Sequence, residues 1–208
     1  MIRWGRIAAA YAVLCAVALA LTWPRGGPLH YPRPPGSALP GAEGPLGEGS
    51  APLWSLGLGI AFGVALVVAS RITVQRYTWA RRLHLELQPF ARSLSPSAVI
   101  VLALLSSAGE ELLFRSLLQP WMGLLPQALL FGLVHQLPGS SRWVWATWAF
   151  VVGLALGALF QFTGSLWGPL AAHALVNGVN LRFLKRYDPG PLPAPARLVA
   201  LPDSDACP

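Results

Sequence analysis

Charge is what this chain has least of. Asp, Glu, Lys and Arg together make up 11% of its 208 residues, against 54% apolar residues, where a soluble domain carries about a quarter charged. That shortage excludes an ordinary soluble domain. Lysine is almost missing: fourteen of the fifteen basic residues are arginine, and they sit beside apolar runs. Juxtamembrane orientation and lipid contact account for the net charge of +7. No basic stripe with interleaved aromatics occurs, so nucleic acid is not an expected partner. Cysteine is scarce too. Cys15 lies in an apolar run and Cys207 near the C-terminus, with no C-x-x-C, which gives neither a disulfide framework nor a thiolate metal site. H-E-x-x-H and E-x-x-H are absent, so no metal and no cofactor is expected. There is no G-x-S-x-G either, which leaves a serine triad unsupported.

What is present is a series of apolar runs. They predict an all-α polytopic membrane bundle of about six transmembrane helices plus an interfacial amphipathic helix. The first span covers Ile7 to Trp23, behind Arg3 and Arg6. It has the look of a signal peptide, but no small-x-small cleavage site precedes Trp23, so a retained span is expected. Residues 24–52 are rich in Pro and Gly and read as an extramembrane loop. Leu53 to Ser70 follows, with Gly57, Gly59 and Gly63 for close helix packing. Arg71 to Arg92 mixes five arginines with apolar residues, suiting a helix lying on anionic headgroups or a solvated basic loop, on the cytoplasmic side in either case. Ser95-Pro96 is a helix start, Ser at N-cap and Pro at N1. The third span runs from Ser97 to about Leu118, and Pro120 to Pro126 is a short connection. A short helix covers Gln127 to Leu137, a span Trp143 to Thr163, and a last helix about Pro169 to Leu184. The tail beyond Tyr187 is Pro-rich. Three parts are expected: residues 1–95 with the first spans and basic segment, 96–186 as the catalytic bundle, and 187–208 as a loose tail. Basic residues per loop give six spans with both termini cytoplasmic.

The third span carries Glu110, Glu111 and Arg115. A charge at bilayer depth costs several kcal/mol unless paired, hydrated or turned into a bundle, which makes these three functional candidates. Glu111 and Arg115 are i and i+4 on one face and can neutralise each other. Glu110 lies about 100° around the helix and is left free. On other helices His135 follows Phe131 by four, and His173 precedes Asn177 by four. A carboxylate kept from bulk water can act as general base, a histidine opposite it can share the water, and His with Asn can hold a developing oxyanion. A structural polar network, a bound metal, a proton-coupled transporter and a non-catalytic immunity or scaffold protein remain alternatives at this point. The missing internal repeat argues against the transporter.

The ordered set Glu110-Glu111…Arg115, Phe131…His135 and His173…Asn177 resembles the CPBP family of intramembrane glutamic endopeptidases, which includes the type II CAAX prenyl endopeptidases and bacterial relatives linked to bacteriocin processing or self-immunity. The lead-in Gly164-Ser165-Leu166-Trp167-Gly168-Pro169 is also similar, and the resemblance spans about residues 96–184. Ser116 departs from the Gly that many members have after the Arg. The resemblance implies that Glu110 and His135 activate water, Glu111 and Arg115 pair in support, and His173 with Asn177 binds the oxyanion. It further implies a membrane-anchored protein or peptide as substrate, in a lipid bilayer. The Arg-rich, Ala/Leu/Gly/Pro-heavy composition suits a bacterial plasma membrane.

Overall fold

The computed structural model describes residues 4–25, 27, 29, 51–136 and 138–192, and every regular element among them is helical. In order these are α1 (Trp4–Thr22), a 3-10 turn (Trp23–Arg25), α2 (Ala51–Arg76), α3 (Thr78–Ser93), α4 (Pro96–Glu110), a π-helical continuation (Glu111–Leu118), α5 (Gln119–Met122), α6 (Leu124–Val134), α7 (Arg142–Thr163) and α8 (Trp167–Arg186). The all-α membrane bundle is therefore what the sequence folds into. Most of the 24–52 loop and the tail beyond 192, Cys207 included, lie outside the described residues.

Among the described residues, four helical stretches are long and apolar enough to cross a bilayer: Trp4–Thr22, Ala51–Arg76, Pro96–Met122 and Arg142–Thr163. The other two expected spans form helices of a different kind. Helix α6 has 11 residues, about 16 Å at 1.5 Å per residue against a core of about 30 Å. Helix α8 has 20 residues but carries His173, Asn177 and Asn180. Several boundaries also move. The basic segment divides at Tyr77: Arg71 and Arg76 finish α2, and the rest forms α3. Pro126 falls in the first turn of α6, where a missing N–H costs nothing, and Pro120 lies in α5 directly after the wide turn, so the expected connection contracts to Gly123. The helix start at Ser95 is as expected, its Oγ accepting from the Ala98 N–H at 3.1 Å with Pro96 following.

The bundle has a small-residue seam. On α2, Ser55, Gly59 and Gly63 are the buried residues, at intervals of four. They face Gly168 and Ala172 on α8, and a methyl at Gly59 would sit 2.1 Å from the Gly168 carbonyl oxygen. Backbones this close need glycine. Gly57, expected to share the seam, has nothing within 4 Å. The Ser55 hydroxyl closes the arrangement, meeting Thr163 Oγ1 at 2.9 Å and the Ser165 carbonyl at 3.0 Å and accepting from the Gly168 N–H at 3.0 Å. The turn from α7 into α8 is thereby fixed, and with it the height of His173.

Helix α3 buries Ala80, His84, Gln88 and Ala91, one face at intervals of three and four. That face packs on the end of α8, where His84 Nε2 and Gln88 Nε2 both reach the Tyr187 carbonyl, at 3.1 and 2.8 Å. Large apolar side chains such as Val13, Val64, Leu104, Leu129 and Val151 point outward, as the lipid-facing surface of a bundle does.

Candidate active site

Glu110 ends α4 and Glu111 opens the π-helical stretch. The local ladder changes there: the Glu111 N–H bonds the carbonyls of Ser107 and Ala108, whereas the Gln119 N–H reaches five residues back to Phe114. Wide turns of this kind recur at functional sites. Nothing in the residue pattern distinguishes this stretch from an α-helix.

Glu111 and Arg115 are completely buried and paired, Arg115 Nη1 donating to Glu111 Oε1 at 2.8 Å. The guanidinium is further held by Nη2 to the Gly153 carbonyl at 3.2 Å and by the Phe131 ring, 4.4 Å from Cζ. A charge this deep is tolerable because it is paired with a carboxylate, bonded to a carbonyl and covered by a ring, although Arg115 Nε and Glu111 Oε2 have no hydrogen-bond partner among the described residues. Phe131 touches Arg115 on one side and His135 on the other, with ring centroids 4.3 Å apart.

His135 does not lie on α6 as expected. It is the residue just past the helix end, at φ −85° and ψ 55°. Its Nδ1 lies 2.6 Å from the Phe131 carbonyl. A carbonyl only accepts, so Nδ1 carries the proton and Nε2 of the neutral ring is bare. The same logic applies to His173, whose Nδ1 meets Glu111 Oε1 at 2.7 Å. Both bare nitrogens face Glu110 Oε2, at 3.5 Å from His135 and 3.7 Å from His173. Three acceptor atoms thus converge inside an apolar bundle. While both rings are neutral, acceptor faces acceptor and Glu110 Oε2 has no hydrogen-bond partner among the described residues; a proton on either Nε2, or a water beside the three atoms, would satisfy them. The site opens beside His135, whose side chain is 20% exposed against 9% for Glu110.

Glu110 is not free, as its position on the helix suggested. Its Oε1 accepts from the Tyr11 hydroxyl of α1 at 2.7 Å. Tyr11 was not among the expected site residues. The available signal was faint: between Arg6 and Thr22 only Tyr11 and Cys15 depart from aliphatic side chains, and they are i and i+4.

Asn177 lies one turn beyond His173 on α8, but its amide points elsewhere. Nδ2 donates to Ser106 Oγ at 3.1 Å and reaches Ser107 Oγ at 3.5 Å. Five of the six expected residues, Glu110, Glu111, Arg115, His135 and His173, therefore join one contact network, with Asn177 tied to α4 beside it. Among the described residues no group of three or more His, Cys, Asp or Glu is arranged to hold a metal ion.

Residues 92–179 match the family described as type II CAAX prenyl endopeptidase Rce1-like. An uncharacterized protein of Bacillus subtilis, YpbD, is 33% identical over 88 residues, which is 41% of this chain and 46% of that relative. The match thus spans about half the length of the curated relative. No solved structure matches the chain.

Proposed function

We propose that this membrane protein, whose residues 92–179 match the Rce1-like type II CAAX prenyl endopeptidase family, is an intramembrane endopeptidase. Its substrate is a membrane-associated protein, cut near the C-terminus or membrane anchor, and the bacterial plasma membrane is its place. The observation that carries the reading is the convergence of Glu110 Oε2 with His135 Nε2 and His173 Nε2 at 3.5 and 3.7 Å. The family match supports a protease; the glutamate mechanism is our own reading of that geometry.

Charge balance adds a constraint. Glu111 and Arg115 cancel, which leaves the Glu110 carboxylate in apolar surroundings with only neutral partners. One extra proton on the histidines makes the site neutral, and burial favours that. Placed on His173 Nε2, this proton turns the ring into a donor held from behind by Glu111. Water between Glu110 Oε2 and His135 Nε2 then loses a proton to that pair as its oxygen bonds the scissile carbonyl carbon. The carbonyl π pair moves onto oxygen, and the oxyanion receives His173 Nε2–H. Asn177 serves the same oxyanion with the hydrogen now directed at Ser107, the longer of its two contacts. Collapse breaks the C–N bond, and the amine leaves with the proton taken from water.

The test is cleavage of a dye-labelled, membrane-anchored peptide by the purified protein in liposomes. Glu110→Gln and His135→Ala should each abolish turnover with the melting temperature retained, and their effects should not add, because both act in one step. Near wild-type cleavage by Glu110→Gln with a dead Glu111→Gln reverses the two roles. Full cleavage by both variants removes glutamate catalysis altogether.

A further inference from the structure

The family match begins at residue 92, yet the carboxylate proposed as the base is held by a residue 99 positions before it in the chain. Helix α1 presents one stripe to the bundle: Ala8, Ala18 and Thr22 are buried, with Tyr11 and Cys15 half-buried between them. The intervals are three and four, the spacing of one helix face. This stripe meets α4 at Gly109, where a methyl would lie 3.3 Å from Tyr11 Cδ1 and Leu14 Cδ2 and 3.4 Å from Cys15 Sγ. A methyl at 109 would oblige these side chains, the phenol among them, to give by a few tenths of an ångström.

A buried tyrosine hydroxyl needs some acceptor, and a backbone carbonyl is the ordinary one. Here the acceptor is Glu110 Oε1, on the carboxylate whose other oxygen faces two imidazoles. A glutamate carboxylate otherwise turns about its last side-chain bond with a broad, roughly two-fold profile. Fixing Oε1 fixes Oε2.

We infer that Tyr11 is a positioning residue of the active site: its hydroxyl orients the Glu110 carboxylate from α1, so that Oε2 stays aimed between His135 and His173. The first helix is then part of the active site as well as a span. The inference rests on the proteolytic reading above for its catalytic consequence, but the contact itself is independent of it.

The full chain in liposomes is compared as wild type, Tyr11→Phe and Glu110→Gln. The infrared carboxylate band that disappears in Glu110→Gln should shift in Tyr11→Phe. An unshifted band overturns the inference, whether or not the protein cleaves peptide. In cleavage of the membrane-anchored peptide, Tyr11→Phe should lower kcat by about tenfold to 10²-fold, the scale of a misplaced catalytic group, with KM and melting temperature unchanged. An unchanged kcat, or a change confined to KM, overturns it too. If Tyr11→Phe loses its fold, 3-fluorotyrosine at position 11 keeps the shape, alters the hydroxyl, and carries the same two readouts. Equal cleavage by wild type and Glu110→Gln is a failure of the proteolytic reading, and the infrared band then decides the Tyr11 contact by itself.

Discussion

Single residues at this site carry different kinds of load. Arg115 has no exposure, and its removal leaves Glu111 buried beside His173 with the negative charge uncompensated. Arg115→Ala should therefore destabilise the fold by about 3–5 kcal/mol, measured as thermal unfolding in detergent, and lose activity as a consequence. Asn177→Ala should lower the cleavage rate by roughly 10²–10³, the usual loss for one oxyanion donor. A smaller loss accompanied by a lower melting temperature would reduce Asn177 to a link between α8 and Ser106. The Glu111–Arg115 pair was legible because both partners sit on one helix at a spacing of four. The tyrosine on Glu110 was not, since its partner lies 99 residues away and contact across a bundle leaves no local pattern. The bridging position of His173, Nδ1 on one glutamate and Nε2 toward the other, depends on the height of α8, which no spacing within α8 reveals.

Helices act here through their faces. Gly59→Ala puts a methyl against the Gly168 carbonyl, whereas Gly57→Ala enters open space. The first should destabilise by about 1–3 kcal/mol as overpacking does, and the second should be neutral or slightly stabilising in a helix interior. Melting the two variants side by side tests the seam, and equal behaviour would remove it. The docking of α3 on α8 has a pH dependence of its own. Burial holds the His84 imidazole below the ordinary histidine value, outweighing the Tyr187 carbonyl that favours its charged form, with the Arg71 cation adding to the depression. A depressed histidine contributes stability that is fully present above the unfolded value of about 6.5 and is lost as pH falls from there through the lower folded value. Between about pH 7.5 and pH 5.5 the melting temperature of the wild type should fall more than that of His84→Gln. The amphipathic character of α3 was visible as arginines among apolar residues. Its polar inner face was not, because His84 and Gln88 read as solvent-facing residues until Tyr187 supplies their acceptor.

Across the whole molecule, the four longest apolar stretches were the most legible feature, since span length follows directly from bilayer thickness. The two helices that carry His173 and lead to His135 read less clearly as spans because they are polar or short. Two of the three helices that build the candidate site are thus the ones hydropathy describes worst, whereas the one bearing Glu110 and Glu111 is among the four. The count of arginines gives the expected orientation, with α3 and the ends around it on the cytoplasmic side. A cysteine at position 82, in a chain with Cys15→Ala and Cys207→Ser, should resist an impermeant maleimide applied from outside intact cells and react once the cells are opened. Labelling from outside would invert the molecule.

The wide turn from Glu111 to Leu118 amounts to about one residue inserted into an α-helix, and it works as a phase shifter. Each helical residue turns the chain by about 100°, so the part after the insertion faces a different neighbour from the part before it. Upstream, Glu110 meets α1 and the histidines; downstream, Gln119 is buried and donates to the Gly157 carbonyl of α7 at 2.9 Å. The same residues wound as an unbroken α-helix would keep their hydropathy and both glutamates, and would turn Gln119 by about 100° away from the Gly157 carbonyl. How many residues lie between the two contacts, more than which residues they are, decides that one helix can serve both sides of the bundle.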